Sequence, residues 1–203
     1  MVQLVLLSAL LTVSSMADSV VQNEHEYSSI RISSHPAIKE LINFPVTTPQ
    51  GAKTGVLDKY EKSGYPDVLI ISFMAAWCKN CHYEAPYVES IYREWHDRGL
   101  EMTMVAEYSP KDKWRDGFVK KHHLTIPYVY GEIPAKVKAL RETTTHYRLR
   151  KLLDDKRGWG TPFHILIVCG NKDSVYFVTG EFMVEELEKF LSENLRSLHS
   201  GDR

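Results

Sequence analysis

The chain has 203 residues, a length that favours one compact domain with room for a small extra segment. Hydrophobic residues make up 43% and charged residues 25%, which argues against a largely disordered chain. The 25 Lys and Arg residues nearly balance the 26 Asp and Glu residues, so no strong positive field exists to attract nucleic acid or an anionic membrane. Three cysteines are too few for a disulfide scaffold, but two of them form one C-x-x-C motif.

The first 17 residues are predicted to be an export signal. They carry no charged side chain, and the apolar run from Leu4 to Val13 has the length of a signal-peptide core while being too short to span a bilayer. Ser15 and Ala17 fit a cleavage site, and a polar stretch follows at once. Because no basic residue precedes the apolar run, a buried N-terminal helix remains the alternative. Cleavage would place a mature chain beginning near Asp18, without a stable membrane span, in an oxidising extracytoplasmic or secretory space.

Strands and helices are predicted to alternate along the rest of the chain. Residues 18–34 are polar and are predicted to be a tail or linker, and a turn is predicted at residues 49–51. The predicted strands are a short one within the mixed residues 38–48, and then 68–74, 100–106, 126–130, 163–168 and 175–178. The predicted helices are 56–62, 80–95, one that begins at 109, 135–156 with a break at 143–145, and 181–198. This order predicts an α/β fold with a parallel-rich sheet, helices on both faces and a closing antiparallel hairpin at one edge.

Local signals predict several details of these elements. The continuous apolar run at residues 68–74 is typical of a strand buried on both faces of a sheet. Ser109 and Pro110 are predicted to be the N-cap and the first residue of a helix. Cys169, a lone cysteine in an apolar strand, is predicted to be a small buried hydrophobe.

Cys78 and Cys81 of the C-x-x-C motif lie where the buried strand gives way to a helix. At a helix N-terminus, unpaired backbone N–H groups and the helix dipole favour the thiolate of Cys78 over the thiol. Cys81 lies one turn further into the helix, where it can close a small ring with Cys78. The motif therefore predicts a redox pair in which Cys78 attacks a partner disulfide and Cys81 resolves the mixed disulfide.

Two other chemistries use the same cysteines. A structural zinc site usually needs four ligands, and the chain offers no second cysteine pair, so no metal site is predicted. Cys78 to His82 also fit C-x-x-C-H, the attachment signature of c-type haem. The motif follows a strand in an alternating α/β pattern, whereas small cytochromes are mainly helical. A haem or metal carrier using Cys78, Cys81 and His82 remains the alternative to a redox pair.

Four segments together resemble the thioredoxin superfamily and, within it, the TlpA/ResA-like redoxin branch. They are a strand with W-C-x-x-C at residues 70–81, E-x-P at 84–86, G-T-P-F at 160–163, and a closing hairpin and helix that reach residue 191. The resemblance implies a thioredoxin-like three-layer α/β fold, with a central mixed sheet flanked by helices and an N-terminal strand extension. The expected division is a signal peptide at 1–17, a polar segment at 18–37, the thioredoxin-like domain at 38–198 and a tail at 199–203.

The resemblance also implies a function and a set of site residues. It implies a thiol-disulfide oxidoreductase that exchanges with protein thiols and disulfides and with a redox partner protein, without a cofactor. Pro162 would follow a cis peptide and lie against Cys78, which would leave the backbone of Thr161 free to pair with a substrate strand. Trp77 would form a flat surface beside the nucleophile, and Glu84 would handle protons at the cysteines. The alternatives are that Trp77 is a core residue, that Thr161 and Pro162 form a simple strand-entry turn, and that Glu84 is a solvated carboxylate.

The sequence departs from the family pattern at several positions. Ser72 stands where many thioredoxins have an acid, so Glu84 is the better candidate for a buried base. Lys79 and Asn80 lack the usual proline of the inner dipeptide, so the resemblance does not imply a redox potential. Ala75 stands where peroxidatic sites usually have Thr or Ser, which makes a thioredoxin-fold peroxidase a lesser alternative. Residues 133–157 are longer than the usual connection and are a candidate specificity element.

Overall fold

The computed structural model describes residues 25–195, so the predicted signal peptide and the 199–203 tail lie outside the described residues. The strands are β1 Tyr27–Ser28, β2 Arg31–Ser33, β3 Pro45–Thr47, β4 Lys53–Gly55, β5 Val68–Met74, β6 Leu100–Ala106, β7 Tyr128–Tyr130, β8 Phe163–Val168, β9 Val175–Val178 and β10 Glu181–Phe182. The helices are α1 Pro36–Leu41, α2 Asp58–Ser63, α3 Lys79–Trp95, α4 Lys111–Trp114, α5 Lys138–Arg141, α6 Thr145–Leu152 and α7 Val184–Asn194. None of these helices is long and apolar enough to cross a membrane.

Eight strands form one mixed sheet in the order β2-β9-β8-β5-β6-β7-β3-β4. The β5–β6 and β6–β7 pairs are parallel, and the other pairs of this sheet are antiparallel. The predicted mixed sheet flanked by helices is therefore confirmed. The expectation of a parallel-rich sheet is wrong, because only the β5–β6 and β6–β7 pairs of this sheet are parallel, and short turns fix the β3–β4 and β8–β9 pairs as antiparallel.

Strand β5 is the centre of the fold and is buried along its whole length. Because side chains alternate across a strand, its two faces pack into two different cores. Ile70 and its face-mates pack with α3 and α7, whereas Ile71 and its face-mates pack with α1, α2 and α6. The three-layer arrangement places the end of β5, and the cysteine motif that follows it, at the edge of the sheet between these layers.

The N-terminal part of the described chain contributes strands where a linker was predicted. Strand β1 pairs in parallel with β10, and β2 pairs antiparallel with β9 at the edge of the large sheet. The linker prediction is thus wrong for residues 27–28 and 31–33, whereas the expected N-terminal strand extension is confirmed. The alternating apolar signal is missing because these edge strands are largely exposed, with Ile32 58% exposed. Residues 181–182 likewise form a strand, so the last helix begins at Val184 rather than at 181.

Two local predictions are wrong. Ser109 does not cap a helix: its hydroxyl accepts the Ala76 N–H at 2.9 Å and donates to the carbonyl of Glu107 at 2.9 Å. Helix α4 begins two residues later and continues as a π-helical turn over residues 115–119. Cys169 is exposed, with a φ of +47° in the turn that follows β8, so it is not a buried hydrophobe. By contrast, β5, β6, β8 and β9 have the predicted bounds.

Candidate active site

Cys78 is the N-cap of helix α3, as the motif predicted. Its backbone is extended, with φ −81° and ψ 116°, and its sulfur accepts the backbone N–H of Cys81 at 3.1 Å. The two cysteines form a disulfide with their Cα atoms 5.2 Å apart. Cys78 is 6% exposed and Cys81 is fully buried, so Cys78 presents the more accessible sulfur. A helix N-terminus that hydrogen-bonds the sulfur of Cys78 would also stabilise its thiolate after reduction.

The Thr161–Pro162 peptide is cis and lies against the disulfide. The carbonyl oxygen of Thr161 is 3.3 Å from the sulfur of Cys78. The structure thus brings the two ends of the predicted site together, although 83 residues separate them in the sequence. Thr161 is 8% exposed, so only a small part of this residue reaches the surface.

A buried arginine fixes the loop that leads into this cis peptide. Arg150 of α6 is 1% exposed, and its guanidinium donates to Asp155 Oδ2 at 2.8 Å, to the carbonyl of Trp159 at 3.0 Å and to the carbonyl of Arg157. Burial alone would raise the pKa of Asp155, but hydrogen bonds from Arg157 and Arg150 hold that pKa well below its usual range. The carboxylate therefore stays ionised and keeps the guanidinium in place.

Gly160 lies directly against this guanidinium, immediately before Thr161. A Cβ atom at Gly160 would lie 1.8 Å from the guanidinium carbon of Arg150, and the φ of +64° also favours glycine. The β7–β8 segment, residues 131–160, therefore supports the Thr161–Pro162 loop from behind. This segment contains the stretch for which the sequence predicted a specificity role.

A second set of buried contacts joins the same loop to the end of β6. Tyr108 has a φ of +54°, and its hydroxyl lies 2.9 Å from His146 Nδ1 and 3.1 Å from Thr144 Oγ1. His146 Nε2 lies 3.2 Å from the carbonyl of Gly160. Burial lowers the pKa of His146 well below its usual value, so the ring is neutral. It then donates from Nε2 to Gly160 and accepts the Tyr108 hydroxyl at Nδ1.

Trp77 is half-buried and forms one wall beside Cys78. Its indole N–H donates to the carbonyl of Tyr108 at 2.9 Å, and its ring meets Trp159 edge-on with centroids 5.6 Å apart. The ammonium of Lys136 lies 3.7 Å from the Trp77 ring centroid. The β7–β8 segment therefore places an aromatic ring, that of Trp159, and a cation, Lys136, against Trp77.

Glu84 is buried, not a solvated carboxylate as the alternative interpretation had it. It is 4% exposed and lies one helical turn after Cys81. One carboxylate oxygen accepts the backbone N–H of Phe182 at 2.8 Å, and the other lies 3.1 Å from His164 Nε2. His164 Nδ1 in turn lies 2.9 Å from the hydroxyl of Ser72. The position that holds an acid in many thioredoxins is therefore linked to Glu84 through a histidine.

The geometry does not favour a haem or metal carrier. The sulfurs of Cys78 and Cys81 are bonded to each other, and both ring nitrogens of His82 have partners, at 2.8 Å to the carbonyl of Ala76 and at 2.7 Å to His122 Nε2. Within residues 25–195, no three His, Cys, Asp or Glu side chains are grouped as a metal site would require.

Sequence reasoning did not find several residues of this region. His164 and Tyr108 contact residues far away in the sequence. The partners of Arg150 are only five to nine residues away, but they lie in a loop without a regular sequence pattern. A histidine within the apolar run of β8 was a signal for His164, since a polar ring inside a buried strand needs a partner.

Comparisons with known proteins agree with this geometry. No family model matches the sequence. The thiol-disulfide oxidoreductase ResA of Bacillus thuringiensis subsp. konkukian is 30% identical over 106 residues, which cover 47% of this chain and 58% of that protein. ResA of Oceanobacillus iheyensis is 28% identical over 82 residues, covering 39% of this chain and 42% of that protein. The chain thus spans about half the length of the curated relatives it matches.

Solved structures show the same fold at low sequence identity. A secreted Mycobacterium tuberculosis disulfide oxidoreductase homologous to E. coli DsbE has a TM-score of 0.53 at 16% identity, covering 76% of this chain and 98% of that one. A putative thiol:disulfide interchange protein DsbE from Chlorobium tepidum has a TM-score of 0.52 at 16% identity, covering 75% and 93% of the two chains.

Proposed function

We propose that this chain, which belongs to the thioredoxin superfamily as a redoxin, is a thiol-disulfide oxidoreductase that exchanges dithiol and disulfide with partner proteins. The observation that carries the proposal is the Cys78–Cys81 disulfide at the N-terminus of α3, beside the cis Thr161–Pro162 peptide. Similarity to proteins named ResA supports the same activity.

The reaction divides between the two sulfurs. In the reduced protein, the thiolate of Cys78 attacks a partner disulfide, a mixed disulfide forms, and the partner's second sulfur leaves as a thiolate. Cys81 then attacks the mixed disulfide, closes the Cys78–Cys81 bond and releases the partner dithiol. The difference in burial between the two sulfurs supports this order, because the partner can reach only the one at the surface.

We assign the remaining predicted residues to proton handling and substrate binding. Glu84, buried one turn beyond Cys81, takes up or supplies the proton that the resolving sulfur exchanges. The backbone of Thr161, presented by the cis bond to Pro162, pairs with an extended segment of the partner, and Trp77 provides an apolar surface beside it.

The cellular setting belongs to the same proposal. The uncharged N-terminal 17 residues would be a signal peptide, and the mature protein would work outside the cytoplasm or in the secretory lumen, where disulfides persist. There it would exchange with protein thiols and a redox partner protein and contribute to cell redox homeostasis.

The test is reduction of insulin by dithiothreitol in the presence of the full chain. Wild-type protein should accelerate the reaction, and Cys78→Ser should abolish the acceleration because the attacking sulfur is gone. Cys81→Ser should lose turnover because the mixed disulfide cannot be resolved. Cys169→Ser, which changes the exposed third cysteine, is the matched control and should keep wild-type activity. Wild-type turnover by Cys78→Ser would refute the proposal.

A further inference from the structure

A chain of three buried polar side chains begins at Glu84, one helical turn after the resolving cysteine. The hydroxyl of Ser72 is 2.9 Å from His164 Nδ1, and His164 Nε2 is 3.1 Å from Glu84 Oε2. Ser72 and His164 are fully buried, and Glu84 is 4% exposed. Neither His164 Nε2 nor Glu84 Oε2 makes a hydrogen bond within residues 25–195, so their 3.1 Å approach is a close polar contact between two buried atoms that lack hydrogen bonds.

Burial favours protonation states in which His164 and Glu84 together carry no net charge. A neutral imidazole beside a carboxylate would bury one net negative charge, which is costly in a site closed to water. One additional proton makes the pair neutral, whether it lies on the imidazole of His164 or on the carboxyl of Glu84. In the imidazolium form the Nδ1–H donates to the hydroxyl of Ser72, while the Nε2–H faces the carboxylate of Glu84 at ion-pair distance. Sharing one proton would therefore leave the pair neutral and able to act as an acid.

The pair connects the two parts of the site. His164 follows the cis Thr161–Pro162 peptide by two residues and pairs directly with Ser72 across β8 and β5. Glu84 comes from α3, one turn beyond Cys81, and its other oxygen is fixed by the backbone N–H of Phe182. The Phe182 ring also packs on the imidazole, with centroids 4.0 Å apart, and keeps water from it. His164 thus fixes the carboxylate relative to the helix that carries the resolving sulfur.

Glu186 of α7 has a buried carboxylate oxygen, Oε2, that makes no hydrogen bond within residues 25–195. The other ionisable groups named here have partners or face solvent. Tyr87 of α3 donates its hydroxyl to the carbonyl of Val184, and Glu181 of β10 accepts from His25 at 2.8 Å. Glu188 of α7 is exposed. Strands β5 and β9 carry no Asp, Glu, Lys, Arg or His.

We propose that His164 is a positioning residue that holds Glu84, together with one shared proton, in place for the proton exchange of Cys81. The inference rests on the proposed exchange activity and deepens it. When an incoming thiolate attacks the sulfur of Cys78, the disulfide breaks and its electron pair leaves on the sulfur of Cys81. The pair gives its proton to this buried thiolate, which becomes a thiol, and the pair is left with one negative charge until solvent restores the proton. In the reverse direction, the pair first releases its proton to solvent and then, carrying one negative charge, takes the proton of Cys81, so that the Cys81 thiolate can attack the mixed disulfide.

The test separates the two chemical steps with 5,5′-dithiobis(2-nitrobenzoate), added in stopped flow to the reduced full chain in a Cys169→Ser background. The first nitrothiobenzoate is released when Cys78 attacks the probe, and the second when Cys81 resolves the adduct. In His164→Gln the second release should slow by about tenfold or more at pH 7, since general acid–base groups contribute at least about that much. The first release should stay within about twofold of wild type. The slowed step should recover at high pH, where solvent removes the Cys81 proton.

The control is His123→Asn, because His123 is an exposed histidine whose φ of +52° asparagine tolerates. Ser72→Ala is the second variant: it removes only the Nδ1 partner and should slow the second release in the same direction. Equal ratios of the two steps in wild type, His164→Gln and Ser72→Ala would overturn the inference while leaving the proposed function standing. If His164→Gln fails to fold by circular dichroism, the ratio in Ser72→Ala decides. A wild-type first release no faster than that of Cys78→Ser would instead overturn the proposed function.

Discussion

Replacing Arg150 by alanine tests whether the β7–β8 segment supports the active-site loop. The substitution removes hydrogen bonds to Asp155 and to the carbonyls of Trp159 and Arg157, all made by a side chain that is 1% exposed. Removing one partner of a buried ion pair typically costs about 3–5 kcal/mol. Asp155 keeps a second partner in Arg157, whose Nη2 lies 2.8 Å from it, so we expect the lower end, about 3 kcal/mol.

The assay is urea-induced unfolding followed by circular dichroism, with Lys151→Ala as the matched control. Lys151 is the next residue of the same helix and is exposed, so its replacement should change the free energy of unfolding by no more than about 0.5 kcal/mol. Arg150→Ala should also slow insulin reduction, because the loop before Thr161 loses its support. A stability loss for Arg150→Ala no larger than that of the control would refute this account of the segment.

Three further predictions concern Glu107, Gly160 and Trp77. Burial raises the pKa of Glu107 to about 7 in the folded protein. Between about pH 4.5 and 7 the unfolded chain has released this proton while the folded protein still holds it, so the free energy of unfolding should fall by about 3 kcal/mol as the pH rises through this range. Urea unfolding of Glu107→Gln should lack this fall, and equal pH slopes in both proteins would contradict it. Gly160→Ala should lose about 2 kcal/mol or more, whereas Gly158→Ala, with no atom within 4 Å of the added Cβ, should lose less than about 0.5 kcal/mol; equal losses would argue against the close packing. Trp77→Ala should slow insulin reduction about tenfold while changing the reaction with 5,5′-dithiobis(2-nitrobenzoate) less than about twofold, and equal slowing would argue against a substrate surface.

The parts of the fold that the sequence predicted are those with strong local patterns. The apolar-rich stretches of β5, β6 and β8 are six or seven residues long and lie between turn residues, which is typical of buried strands. Their bounds could therefore be predicted from the sequence pattern. The Cys78–Cys81 pair followed from its place between strand and helix, and the contact with Thr161 followed from resemblance to a known family.

The parts that were missed depend on distant partners. Strands β1 and β2 are polar and exposed, and they are strands because β10 and β9 present free edges to them. The link between Glu84 and His164 joins a helix to a strand 80 residues away, which neither local pattern reveals. Ser109 has the sequence signal of a helix cap, but its hydroxyl accepts the backbone N–H of Ala76 instead.

The roles of the two sulfurs are measured by mass spectrometry of the mixed disulfide that forms when the reduced protein, in a Cys169→Ser background, reacts with oxidised glutathione. In Cys81→Ser, one glutathione should accumulate on Cys78, because the sulfur that would release it is absent. In the protein with both cysteines the adduct should not accumulate, and in Cys78→Ser modification of the buried Cys81 should be far slower. Equal modification of Cys81 in Cys78→Ser, or an unmodified Cys78 in Cys81→Ser, would contradict the assignment of the attacking and resolving sulfurs.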